Sequence, residues 1–159
     1  MKITYNDFKQ SILEKINAVG KGAYKMLKGD TMYIWLSDSG DGLLNSRYEQ
    51  LECKFTELYA IYEKAIELGG TMYLGASAAR SGKKIGSSDF PLDTIDAFVA
   101  INYYGNEVGD KITRRSTYYA AILDWAGFVD NHWGGYITVK SRCCETCGSI
   151  RKMEGTDRS

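Results

Sequence analysis

Two thiols stand two residues apart in Cys144-Glu-Thr-Cys147-Gly148, a spacing whose turn lets both thiolates face one ion, as in half of a zinc knuckle. Cys143 and the single histidine, His132, are candidates for the remaining ligands of a tetrahedral site, with Cys53 a distant fourth thiol. No second Cys-x-x-Cys completes the set. Structural zinc therefore stands beside free thiols near the end of the chain and, third, redox chemistry. His132 lies in His-Trp-Gly-Gly, where a turn residue is the ordinary role and a metal ligand or general base the reactive one. Asp38 and Asp41 would hold Mg²⁺ for phosphoryl chemistry, as in a nuclease, if Glu49 or Glu52 joined them. Turn formation explains the same Asp-Ser-Gly-Asp-Gly without metal. No serine has the surroundings of a hydrolase nucleophile, so the sequence favours a binding protein over an enzyme.

Two clusters of cations are placed for binding. Arg80, Lys83 and Lys84 fall in the glycine- and serine-rich segment 75–88, which reads as an exposed loop able to wrap phosphates. Its order is not the Gly-x4-Gly-Lys-Ser/Thr of a nucleotide-hydrolysing loop. Arg114 and Arg115 open a second segment, ahead of Ser116, Tyr119 and Leu123. Twenty basic side chains balance twenty acidic ones, so no global field draws this chain to a polyanion, and such binding needs a local patch.

The elements that must position these groups follow from periodicity. Phe8, Ile12, Ile16 and Val19 predict a helix over 6–19, ended by Gly20. Residues 31–36 are strand formers, stopped by the turn at 37–42. Tyr48, Leu51, Phe55, Leu58, Tyr62 and Ile66 keep a helical period for about five turns until Gly69-Gly70. A strand at 71–74 follows, then a helix introduced by Pro91 and closed by Gly105. Thr113 caps a helix over 114–127, and strands at 128–130 and 136–140 flank the His-Trp-Gly-Gly turn. Thr31-Met32-Tyr33 recurs as Thr71-Met72-Tyr73, the mark of a duplicated strand-loop-helix unit or of two paired strands of one sheet. At 159 residues the chain suits one α+β domain over 1–142, helices with a small antiparallel sheet, followed by a cysteine-containing tail at 143–159. No apolar leader or span is present, which with the crowded cysteines implies an intracellular, cytoplasmic protein and no membrane partner.

The run from Thr113 to Val139 resembles the third helix and wing of winged helix-turn-helix domains. Its helix carries Ser/Thr and basic residues in the first turns, ends at Gly127 and enters a hairpin. The resemblance covers about residues 93–140, with one departure: residues 106–112 are longer than the family's tight turn. A helical wheel sends Tyr118, Ile122 and Trp125 to the core and Arg115, Ser116, Tyr119, Ala120 and Leu123 outward. Arginines at a helix N-terminus oppose the dipole, so an anion is expected nearby. The resemblance implies that Arg114, Arg115, Ser116 and Tyr119 enter DNA, with Lys140 and Arg142 on the wing side. The expected function is thus a small regulator, of the kind carried by phages or mobile elements, binding DNA or a DNA-handling protein. The alternative is a protein-binding inhibitor of a nucleic-acid enzyme, a phage-type anti-defence protein with Tyr119, Leu123 and Trp133 as contacts. A metal-dependent nuclease is third. Oligomeric state is not set by the sequence.

Overall fold

Apolar side chains four residues apart write the first helix, and the computed structural model, which describes residues 3–140, shows it as α1, Tyr5–Val19. Thr4 caps it by accepting the Asp7 N–H at 3.1 Å, and Phe8, Ile12 and Ile16 are its buried stripe. A four-stranded antiparallel meander follows: β1 (Gly22–Lys25), β2 (Thr31–Leu36), β3 (Gly42–Asn45) and β4 (Cys53–Lys54). Helix α2, Phe55–Glu67, leads to β5 (Thr71–Tyr73), the short helix α3 (Ala76–Arg80) and α4 (Ile95–Tyr103). Helix α5, Ser116–Trp125, then enters the hairpin of β6 (Val129–His132) and β7 (Tyr136–Val139). The second sheet has the order β5-β7-β6, all antiparallel. The chain is thus α+β, with helices and two small sheets.

Three expectations are corrected. The helix expected from Tyr48 begins at Phe55, because Asn45 Oδ1 accepts the Arg47 and Tyr48 N–H groups at 2.9 and 2.7 Å and turns the chain there instead. Leu51 keeps its place in the core from irregular backbone. The echoed strands β2 and β5 lie in different sheets, not side by side in one. The segment 75–88 is only partly a loop: it contains α3, and Ile85 within it is buried beside Phe90 and Ala97.

One apolar cluster joins α1, both sheets, α2, α4 and α5, so burial couples the N-terminal meander to the C-terminal sheet. Phe8 of α1 reaches Phe128, just before β6, with ring centroids 4.4 Å apart. Among the described residues no helix is long and apolar enough to cross a membrane.

Candidate functional site

The first turn of α5 is built by a residue from α4. Asp96 Oδ1 accepts the backbone N–H groups of Arg115 and Ser116 at 2.6 and 2.8 Å, and Oδ2 accepts the Ser116 hydroxyl at 2.6 Å. The cap expected from Thr113 is therefore supplied by this distant carboxylate, and the anion expected beside the arginines is internal. Burial pushes the Asp96 carboxyl up, and the hydrogen bonds from Ser116 and Arg115 pull it part of the way back.

The outward face expected on α5 does not exist. Ser116, Tyr119, Ala120 and Leu123 are all 0% exposed. Two bodies clasp the helix. On one side the Tyr119 hydroxyl donates to Glu57 Oε1 of α2 at 2.7 Å. On the other the meander closes over Tyr118, Asp124 and Trp125. The Tyr118 ring meets Tyr48 edge-on at 5.5 Å, and Asp124 Oδ2 accepts the Tyr24 hydroxyl at 2.7 Å. Trp125 lies so close to β1 that a Cβ on Gly22 would fall 2.5 Å from its ring. Ser116, Tyr119 and Leu123 thus have no surface to offer a partner in this fold. Arg115 is half-buried, its guanidinium 3.8 Å above the Tyr104 ring.

Arg114 takes a different course, into an open cleft of about 860 Å³ between the β1–β2 turn, the β6–β7 hairpin and the start of α5. Four cations line it: Lys28, Arg47, Arg80 and Arg114. Tyr73, Tyr118, His132 and Trp133 supply its rings, and Asp89 and Asp93 its carboxylates. Asp89 is drawn to Lys83 at 3.8 Å, whereas none of the four cleft cations is ion-paired among the described residues. In a chain of zero formal charge, four cations facing two carboxylates make the local basic patch that polyanion binding requires.

Local chemistry sets each group. Gly29, at φ +99°, shapes the turn that carries Lys28, and the Arg47 guanidinium sits 3.4 Å from where a Gly29 Cβ would be. The turn at Asn45 delivers Arg47. Trp133 rides on Gly134 and Gly135, whose φ values of +99° and +81° are ones that L side chains rarely adopt. The hairpin tip is tied to the end of β5 where the Leu74 N–H donates to Gly135 O at 2.8 Å. Across the cleft Lys28 Nζ lies 5.7 Å from the Trp133 ring centroid, so a turn of one sheet faces the hairpin of the other.

Of the binding residues expected from sequence, the fold brings Arg80, Arg114 and Trp133 together here. Lys83 and Lys84 are exposed but do not line the cleft, and Lys140 pairs with Asp130 at 3.5 Å. Lys28, Arg47, Tyr73 and Tyr118 were not foreseen as site residues. For Lys28 and Arg47 the sequence signal is only a cation beside a glycine or asparagine turn, and for Tyr73 and Tyr118 there is none, since the convergence is made by contacts between residues distant in the chain.

The reactive candidates are dispersed. His132 stacks on Tyr136 at 4.7 Å and shares a 2.8 Å hydrogen bond between Nε2 and Thr138 Oγ1. Cys143, Cys144, Cys147 and Arg142 lie outside the described residues. Cys53 is buried, which pushes its thiol up. Asp38, Asp41 and Glu49 are exposed. Glu52 is held by the Ser37 hydroxyl and, at 2.9 Å, that of Ser39, which keep its carboxyl below the usual range. Among the described residues no three His, Cys, Asp or Glu side chains are grouped to hold a metal.

Comparison of the chain with protein-family models, with curated proteins and with solved structures gives no match in any of the three.

Proposed function

We propose that this chain is a non-enzymatic nucleic-acid-binding protein that works through the cleft between its two sheets. One observation carries the reading: Lys28, Arg47, Arg80 and Arg114 converge without ion-pair partners among the described residues, beside the exposed ring of Trp133. Cations that hold no carboxylate are free to take phosphates, and their counterions are released when they do. Helix α4, helix α5 and a hairpin entered through Gly127 support the winged-helix-like reading of residues 93–140. The resemblance would send Ser116 and Tyr119 of α5 into DNA, but both are buried, so contact falls to Arg114, just ahead of α5, and to the hairpin.

The test is the salt dependence of binding to a labelled oligonucleotide, followed by fluorescence anisotropy. Four phosphate contacts give a double-logarithmic slope of about −3 to −4. Arg47→Ala and Arg114→Ala should each reduce it by about one, while Arg115→Ala, beneath Tyr104 and outside the cleft lining, should leave it unchanged. Absence of binding at low salt removes this reading. It leaves the second one, a protein-binding inhibitor, which the exposure of Trp133 and Tyr73 favours.

A further inference from the structure

The side chains of β5, β7 and β6 alternate between two faces. Met72 and Ile137, paired across strands, are buried against the helices. The next cross-strand row, Tyr73 opposite Tyr136 opposite His132, occupies the other face. His132 and Tyr136 turn their ring faces to each other, 4.7 Å apart and 13° from parallel, so both faces of that contact are used. Tyr73, tilted 55° from Tyr136, does not close the stack and is 56% exposed. Trp133, one residue beyond His132 at the hairpin tip, is 62% exposed. Two large aromatic rings thus stand open to solvent in the lining of the basic cleft, Tyr73 beside Tyr136 and Trp133 next to His132 in the chain.

Exposed aromatic rings beside cations that have no ion-pair partner among the described residues match a chain that alternates flat bases with phosphates. A duplex is a poor fit, because its bases are already stacked and it offers the rings backbone and base edges but no free base faces. Reading a duplex through its major groove also takes an element with a free face, and the face of α5 is sealed. We infer that the cleft binds single-stranded nucleic acid, with bases stacked on Trp133 and Tyr73 and phosphates on Lys28, Arg47, Arg80 and Arg114. This rests on the nucleic-acid reading above and specifies its ligand. The His132–Tyr136 stack, fixed by Thr138, acts as a positioning element that keeps the two rings apart.

The experiment compares a short oligothymidylate, a duplex of equal length and thymidine monophosphate by anisotropy and by quenching of tryptophan fluorescence. The single strand should bind at least about tenfold more tightly than the duplex, and the mononucleotide far more weakly than either. Trp133→Ala should weaken single-strand binding by about fivefold or more without changing the salt slope, and Trp133→Phe should restore most of it. The salt slope separates stacking from charge. Duplex binding equal to or tighter than single-strand binding overturns the inference while leaving nucleic-acid binding in place. So does unaltered affinity in Trp133→Ala, or saturation by the mononucleotide at oligonucleotide concentrations. No binding of any of the three probes at low salt overturns both readings.

Discussion

Helix α5 and the tip of the β6–β7 hairpin are close in sequence, yet one is largely sealed and the other open. Tyr119 and Leu123 are 0% exposed, whereas Trp133, ten residues beyond Leu123, is 62% exposed. The difference lies in what covers each. The meander and α2 cover α5 so that only Thr117, Tyr118, Asp124 and Trp125 keep partial exposure, while the two-glycine tip of the hairpin carries Trp133 past the core into solvent. Helix α5 and the buried side of the hairpin strands therefore belong to the stability of the molecule, and the hairpin tip to its contacts.

Substitution should separate these roles most sharply at Leu123. Leu123→Ala empties a buried site and is expected to destabilise by about 3 kcal/mol, within the usual 2–5 for buried leucine. Trp133→Ala should change stability by less than about 0.5 kcal/mol, as exposed positions do. Urea midpoints of the two variants measure the contrast. Equal losses would mean that Trp133 is packed into the core rather than free at the hairpin tip.

A smaller effect is expected at the first turn of α5. Asp96→Ala removes the carboxylate that receives Arg115, Ser116 and the Ser116 hydroxyl, leaving buried donors without an acceptor. Relief of the desolvation that pushes the Asp96 carboxyl up offsets part of that cost, so a net loss of about 2 kcal/mol is expected. The start of α5 also carries Arg114, so oligonucleotide binding should weaken with it. Full stability in Asp96→Ala would show that α5 does not depend on α4 for its first turn.

Which of these features a sequence shows depends on how far apart their causes lie. Helix α1, strand β2 and the hairpin follow from local patterns: a four-residue apolar step, a run of strand formers, two glycines. The wheel of α5 misled because it assumed one wet side. Ser-Thr-Tyr-Tyr-Ala-Ala-Ile-Leu-Asp-Trp holds a single charge, and a helix without a charged face is a buried helix. That composition was the available signal. The cleft had no such signal. Lys28, Arg47 and Arg114 are far apart in the chain and meet only because Tyr24, Tyr48 and Gly22 dock the meander on α5.

The polar seam of that docking is the most delicate part of the cover. Tyr24 donates to Asp124 Oδ2, which also accepts the Asn131 N–H at 3.2 Å, so one carboxylate joins β1, α5 and β6. Burial and then the Asp124 hydrogen bond raise the Tyr24 hydroxyl from 10.0 to about 12. The folded state holds this proton more tightly than the unfolded chain. The contribution of the seam is therefore complete below about pH 10 and lost as the pH climbs toward 12. Tyr24→Phe lacks both the donor and the titration. Between pH 8 and 11 its urea midpoint should fall less than that of the parent, and the difference between the two curves isolates this hydroxyl from the other tyrosines. Parallel curves would show that apolar contact alone, chiefly Trp125 on Gly22, holds the meander over α5, and the sealed face would then owe nothing to its polar rim.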